Sequence, residues 1–189
     1  MLRKPLVAFI GPSGVGKTSF SNRLITGYGF MQATVANTRQ RRVDDGPHHR
    51  FVDDTTFDRM ARNGEFLEVD TYTTYRYGTI AASVRVLLDD AAVAGVLLDL
   101  TPRGYEQVHR VYPGVIAIAL VPDDPAWLKA RLRLRGTETD EEQRVREALL
   151  IEYLESVREL ALPTVEVCFG PETWDGTFVR IVELIRGAA

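Results

Sequence analysis

At 189 residues, 45% of them hydrophobic, the chain is long enough for one well-buried α/β core and short for two independent domains. Its 23 basic and 26 acidic side chains leave a formal charge of −3, which excludes a protein that grips nucleic acid through bulk positive charge; any cationic site has to be local. A single cysteine, Cys168, excludes an internal disulfide and fits a reducing, cytoplasmic setting.

The opening Met1-Leu2-Arg3-Lys4-Pro5 has the charge of a signal n-region, but only five apolar residues, Leu6 to Ile10, follow before Gly11 and Pro12. That run reads as a strand. The longest apolar stretch elsewhere, 91–98, is far short of the roughly 20 residues that cross a bilayer, so a soluble protein with no membrane partner is expected. A helical pattern over 17–26 follows the first strand. Residues 31–82 are polar, aromatic and β-rich in short pieces, with only 56–63 reading as a helix, and are expected to form an inserted lobe. Apolar runs at 93–100 and 115–121 lack polar alternation, as buried parallel strands do, whereas 164–169 alternates. Helical patterns at 83–92, 104–111, 126–135, 140–160 and 177–186 separate or follow them. Strand and helix therefore alternate, and the predicted fold is α/β, a three-layer sheet of the phosphate-loop kind. Asp123-Asp124-Pro125 supplies an N-cap and a first-turn proline for a helix whose arginine-rich face runs past Gly136 into a second charged helix, a candidate lid over 124–150. With no repeat or linker to divide it, the chain is expected to be a single domain, with a core of 1–30, 83–123 and 151–189 around the lobe and the lid.

Between the first strand and the first helix lies Gly11-Pro12-Ser13-Gly14-Val15-Gly16-Lys17-Thr18-Ser19, a Gly-x4-Gly-Lys-Thr loop in the context that the phosphate-binding motif requires. Its glycines let backbone N–H groups wrap a phosphate chain, and the following helix adds the positive end of its dipole. Lys17 is placed to neutralise the β and γ oxygens of ATP, and Thr18 to ligate Mg²⁺. Asp99, at the end of Val96-Leu97-Leu98, fits the carboxylate expected on the metal side, ahead of the plainer reading of an aspartate that merely caps a turn.

A GTPase needs Asn-Lys-x-Asp, but Asn22, Asn37 and Asn63 are followed by Arg, Thr and Gly. The chain carries instead Asn37-Thr38-Arg39-Gln40-Arg41-Arg42, then Gly46 and Phe51-Val52, then Gly64-Glu65-Phe66-Leu67-Glu68, Tyr77-Gly78-Thr79 and Arg135-Gly136-Thr137-Glu138. In this order and spacing, and with its form of phosphate loop, residues 6 to about 150 resemble the guanylate kinase family. The resemblance implies ATP- and Mg²⁺-dependent phosphoryl transfer to a nucleoside monophosphate, GMP or dGMP, by a core, a monophosphate lobe and a lid. Arg39 and Arg42 match the arginines that hold the acceptor phosphate, for which forked guanidinium donors suit a dianion, and Tyr77 matches a tyrosine donating to the same phosphate. Arg135 and Arg146 match the lid arginines that offset charge on the transferring group. Glu68 matches the acceptor for guanine's ring N–H and amine, and Thr79 a hydroxyl donating to its carbonyl.

Departures stand beside these matches. A second phosphate tyrosine aligns with His49, a serine near the base with Val35, an aspartate with Thr101, and an Asn-Asp pair near the donor base with Gly170-Pro171-Glu172. They keep open a related kinase with a shifted acceptor, such as ribose 1,5-bisphosphate, and the family's non-catalytic nucleotide- or protein-binding modules. His48 and His49 are not expected to bind zinc, because neighbours on a strand point apart and no cysteine is near. Arg131, Arg133 and Arg135 are followed at once by acidic residues, which fits a lid better than a nucleic-acid surface.

Overall fold

The computed structural model describes residues 4–43, 45–72, 74–124, 126–128, 130–131, 140–167 and 171–188, the side chains of 140–148, 171 and 172 excepted. Apolar runs form the centre of a five-stranded sheet. Strand β1 (Leu6–Ile10), buried throughout, lies between β7 (Gly95–Leu100) and β8 (Ile116–Pro122); β2 (Phe30–Gln32) pairs outside β7 and β9 (Thr164–Val167) outside β8, every pairing parallel. Because side chains alternate across a strand, neighbouring residues of β1 enter different cores. Val7 and Phe9 join Leu97, Ile118, Leu120, Val165 and Val167 on one face; Leu6, Ala8 and Ile10 join Val96, Leu98, Leu100, Ala117 and Ala119 on the other.

Helices cover both faces. The first core takes Phe20 and Leu24 from α1 (Lys17–Tyr28) and Phe178, Ile181 and Ile185 from α6 (Pro171–Ala188). The second takes Val84 from α3 (Ala81–Asp89) and Val108 from α4 (Pro102–Val111). Helix α5 (Asp140–Glu159) serves both, giving Leu150 to the first and Tyr153 and Val157 to the second. This is the expected three-layer α/β arrangement. The alternating strand also behaves as read, with β9 showing every second residue buried.

The segment between β2 and α3 builds a second sheet of four strands, ordered β4 (His49–Phe51), β3 (Val35–Asn37), β6 (Tyr75–Ile80), β5 (Phe66–Tyr72). β3 pairs parallel with β4 and antiparallel with β6, which pairs antiparallel with β5. Helix α2 (Asp54–Arg62) begins at the cap Asp53, whose side chain accepts from Thr56 N at 2.7 Å, and it buries Phe57 and Met60, with Phe57 stacked on Phe66 at 4.7 Å. Among the described residues no helix is long and apolar enough to cross a membrane.

Candidate active site

The Gly-rich loop leaves the carboxyl end of β1, in the middle of the parallel sheet, where open α/β sheets form their ligand crevice. Gly14 and Gly16 hold φ of 85° and 112°, values that L side chains rarely adopt, and this turns the loop into α1. Gly16 is constrained a second way, because a Cβ there would lie 2.7 Å from the ring of Trp174 on α6, which stacks on Phe20 with centroids 4.8 Å apart. The entrance to the loop is tied by a buried hydroxyl: Gly11 N donates to Tyr153 Oη at 2.7 Å, and that hydroxyl donates to Leu100 O at 3.0 Å. Burial raises the Tyr153 pKa well above its ordinary value, so the proton stays in place.

Lys17 Nζ donates to its own loop, to Gly11 O at 2.5 Å and Pro12 O at 3.2 Å, and stands 3.5 Å from Asp99 Oδ1. Asp99 lies beside Phe9 of β1 in the parallel register, at the foot of a cleft. Solvent reaches 48% of its side chain, yet the protein around it raises its carboxyl pKa, with Lys17 and His48 drawing it back down. Thr18, Asp99, Val35, His48, His49 and Thr79 line this one cleft, so it joins the loop end of the parallel sheet to the inserted sheet.

On the inserted sheet Arg39 makes a two-pronged pair with Asp45, NH1 to Oδ2 at 2.8 Å and NH2 to Oδ1, and Arg42 N donates to the same Oδ2 at 2.5 Å. Burial opposes the Asp45 charge, but these donors outweigh it and hold the carboxyl down at about 2; Arg39 is likewise raised against its own burial, with Tyr77 contributing. The Asp45 carboxylate thus occupies the fork of Arg39 as a phosphate oxygen pair would. His49 is pushed down to about 4, first by burial and then by His48, so it is neutral at pH 7, and its Nδ1 lies 3.4 Å from Asn37 Nδ2. The expectation that His48 and His49 point apart is corrected: their rings lie 4.4 Å apart at 39°, because His48 sits in the turn before β4 and escapes strand alternation.

Glu68 and Thr79 are opposite each other on β5 and β6, and Thr79 donates twice to Glu68 Oε1, from N at 2.9 Å and from Oγ1 at 2.7 Å. Burial raises the Glu68 pKa to about 7 despite those donors, with Asp70 and Asp99 adding to the rise. Thr101 caps α4, accepting from Gly104 N at 3.0 Å, and donates to Asp70 Oδ2. Of the predicted residues, then, Lys17, Thr18 and Asp99 come together, as do Arg39, His49 and Tyr77, which Arg42 joins through its backbone N–H, and Glu68 with Thr79. Arg135 and Gly170 lie outside the described residues, as does the Arg146 side chain. Asp45, Asp70 and Tyr153 were not read from the sequence. Asp70 carried a usable signal, since it follows Glu68 at the two-residue period of a strand face; Tyr153 carried none.

A parallel α/β sheet with a Gly-x4-Gly-Lys-Thr loop at the carboxyl end of its central strand defines the phosphate-loop nucleotide-binding proteins. A model of the guanylate kinase family matches residues 2–161, and the chain belongs to that family. Guanylate kinase of Leifsonia xyli subsp. xyli is 41% identical over 150 residues, covering 76% of this chain and 58% of the relative; that of Sphingopyxis alaskensis is 38% identical over 143 residues, covering 74% and 64%. The matched parts therefore span about three-fifths of these relatives. Guanylate kinase from Anaplasma phagocytophilum shares the fold with a TM-score of 0.70 at 20% identity, covering 99% of this chain and 87% of that structure.

Proposed function

We propose that the protein transfers the γ-phosphoryl group of ATP to GMP or dGMP, giving the diphosphate and ADP. The observation that carries this reading is one cleft lined by Thr18 and Asp99 from the parallel-sheet body and by Val35, His49 and Thr79 from the inserted sheet. Donor and acceptor are then held face to face, and positioning with charge stabilisation supplies most of the catalysis. Residues 31–82 act as the acceptor lobe and 124–150 as the lid that brings Arg135 and Arg146 to the transferring group. Lys17, released from the carbonyls of Gly11 and Pro12, neutralises the β and γ oxygens. Arg39 exchanges Asp45 for the acceptor phosphate, which the Arg42 guanidinium also holds, with Tyr77 and His49 beside it. Glu68 accepts from the guanine edge, while Thr79 holds it in place and faces the carbonyl.

The hydroxyl of Thr18 and the carboxylate of Asp99 belong to residues lining the same cleft and are the hard oxygen donors that Mg²⁺ prefers, so these two residues would hold it. When bound, the ion neutralises charge between the β- and γ-phosphates. A cytoplasmic setting accords with small-molecule nucleotide substrates.

The apolar Val35, set between His49 and Thr79 in the sheet, favours a second reading in which the acceptor is not guanylate. A coupled ADP-release assay across GMP, dGMP, AMP, UMP, CMP, dTMP and ribose 1,5-bisphosphate separates the two; turnover of the bisphosphate alone selects the second. Lys17→Ala is expected to abolish transfer because the charge placed on the transferring group is lost, and near wild-type turnover would contradict the assignment.

A further inference from the structure

The carboxyl group of Glu68 is already half used before any ligand arrives. Its Oε1 accepts both hydrogen bonds from Thr79, and a carboxylate offers only about four lone-pair directions. The remaining oxygen, Oε2, faces Gly104, where a Cβ would lie 3.1 Å away, so the first turn of α4 closes against this carboxylate. A guanine edge presents a ring N–H and a two-hydrogen amine, more donors than one free oxygen takes in good geometry.

A second carboxylate stands alongside. Asp70 follows Glu68 on β5 at the spacing that places both on one face, opposite Tyr77 and Thr79 of β6. Its Oδ1 accepts from Thr71 N at 2.8 Å and its Oδ2 from the Thr101 hydroxyl. That hydroxyl accepts from Gly104 N, so its proton is committed to Asp70 and its direction is fixed by the helix cap. Resemblance to the family leaves residue 101 without the aspartate expected there. The structure puts a carboxylate in hydrogen-bond contact with the threonine that took its place, so the negative charge has moved by one side chain instead of vanishing.

We propose that Asp70, oriented by Thr101, is a second reader of the acceptor base and takes a hydrogen bond from the exocyclic 2-amino group of guanine. The inference rests on the guanylate reading above and deepens it. Glu68 takes the ring N–H through Oε2, and Asp70 takes the amine. Two carboxylates on one strand face present acceptors side by side, and a donor-rich base edge between them satisfies both, which selects a 2-aminopurine over one lacking the amine.

The test compares kcat/KM for GMP and for inosine monophosphate, which lacks the 2-amino group. Variants are Asp70→Ala, Thr101→Val, and Asp70→Ala combined with Thr101→Asp. Asp70→Ala is expected to lower the GMP-to-inosine monophosphate ratio by about tenfold to a hundredfold, the range carried by a hydrogen bond to a charged group, with the loss in the KM for GMP. Thr101→Val should lower the ratio less, and the double variant should restore it by returning a carboxylate to residue 101. An unchanged ratio, or both substrates falling together, overturns the proposal, the second outcome marking a structural role. If Asp70→Ala does not fold, Thr101→Val, which keeps Asp70 and removes the hydroxyl that orients it, decides in the same way. A wild-type protein that phosphorylates neither nucleotide removes the reading beneath; calorimetric binding of the two then reads Asp70 directly, and equal affinities overturn it.

Discussion

Tyr153→Phe removes one oxygen and leaves the ring in its core, which isolates the bridge between the phosphate loop and the end of β7. In the native chain that oxygen satisfies two buried backbone groups, the N–H of Gly11 and the carbonyl of Leu100. Each such group left unpaired costs about 1–3 kcal/mol, so the variant should lose about 2–6 kcal/mol. For a chain of this length each kcal/mol moves Tm by about 2–4 °C, which puts the expected fall at about 4 °C or more. Urea and thermal unfolding followed by circular dichroism measure it. Because Gly11 opens the loop, the KM for ATP should rise as well, whereas kcat at saturating ATP should fall less. A Tm within 2 °C of wild type would refute the argument, because it would mean that neither backbone group depends on this hydroxyl.

Two further predictions concern charge and strain. Burial raises Glu68 from 4.5 to about 7, so between those values the folded chain keeps a proton that the unfolded chain releases. Stability from this residue therefore falls as pH rises from about 4.5 to about 7, by on the order of 3 kcal/mol, and Glu68→Gln should flatten that part of the profile. His49, held down at about 4 by burial, acts in the opposite sense below pH 6.5 but is common to both proteins, so the difference between their unfolding curves at pH 5 and pH 8 isolates Glu68; parallel profiles would remove the assignment. Gly16→Ala should destabilise by about 1–3 kcal/mol through its φ of 112°, with a further loss from the Trp174 contact. In a Trp174→Gly background, itself destabilised by loss of the stack on Phe20, Gly16→Ala should cost less by the contact part only, and no cost at all there would show that the backbone conformation carries no strain.

What the sequence made legible followed from local rules. Uninterrupted apolar runs placed β1, β7 and β8, and the glycine spacing placed the loop, because a buried parallel strand and a phosphate-binding turn each write their requirement within a few residues. Strand β2 was not foreseen: its three residues show no period, and it exists because β7 offers an edge. Helix α6 was expected from 177 and begins at Pro171, since a proline suits a first helical turn. Asp45, Asp70 and Tyr153 act through partners fixed by the tertiary fold. Asp45 is defined by a loop that folds back on Arg39, and Asp70 by a threonine 31 residues on. Tyr153 meets Gly11 across 142 residues, a relation that no window along the chain contains.

That last separation bears on the order in which the protein comes into being. Gly11 and Gly16 leave the ribosome before Tyr153 and Trp174, which anchor the entrance and brace the bend. Until those two residues are made the loop lacks both ties, and closing so long a contact carries a loop-closure entropy cost. A nascent chain halted before α6 would thus carry the whole motif without the Trp174 ring that packs on Gly16 and Phe20.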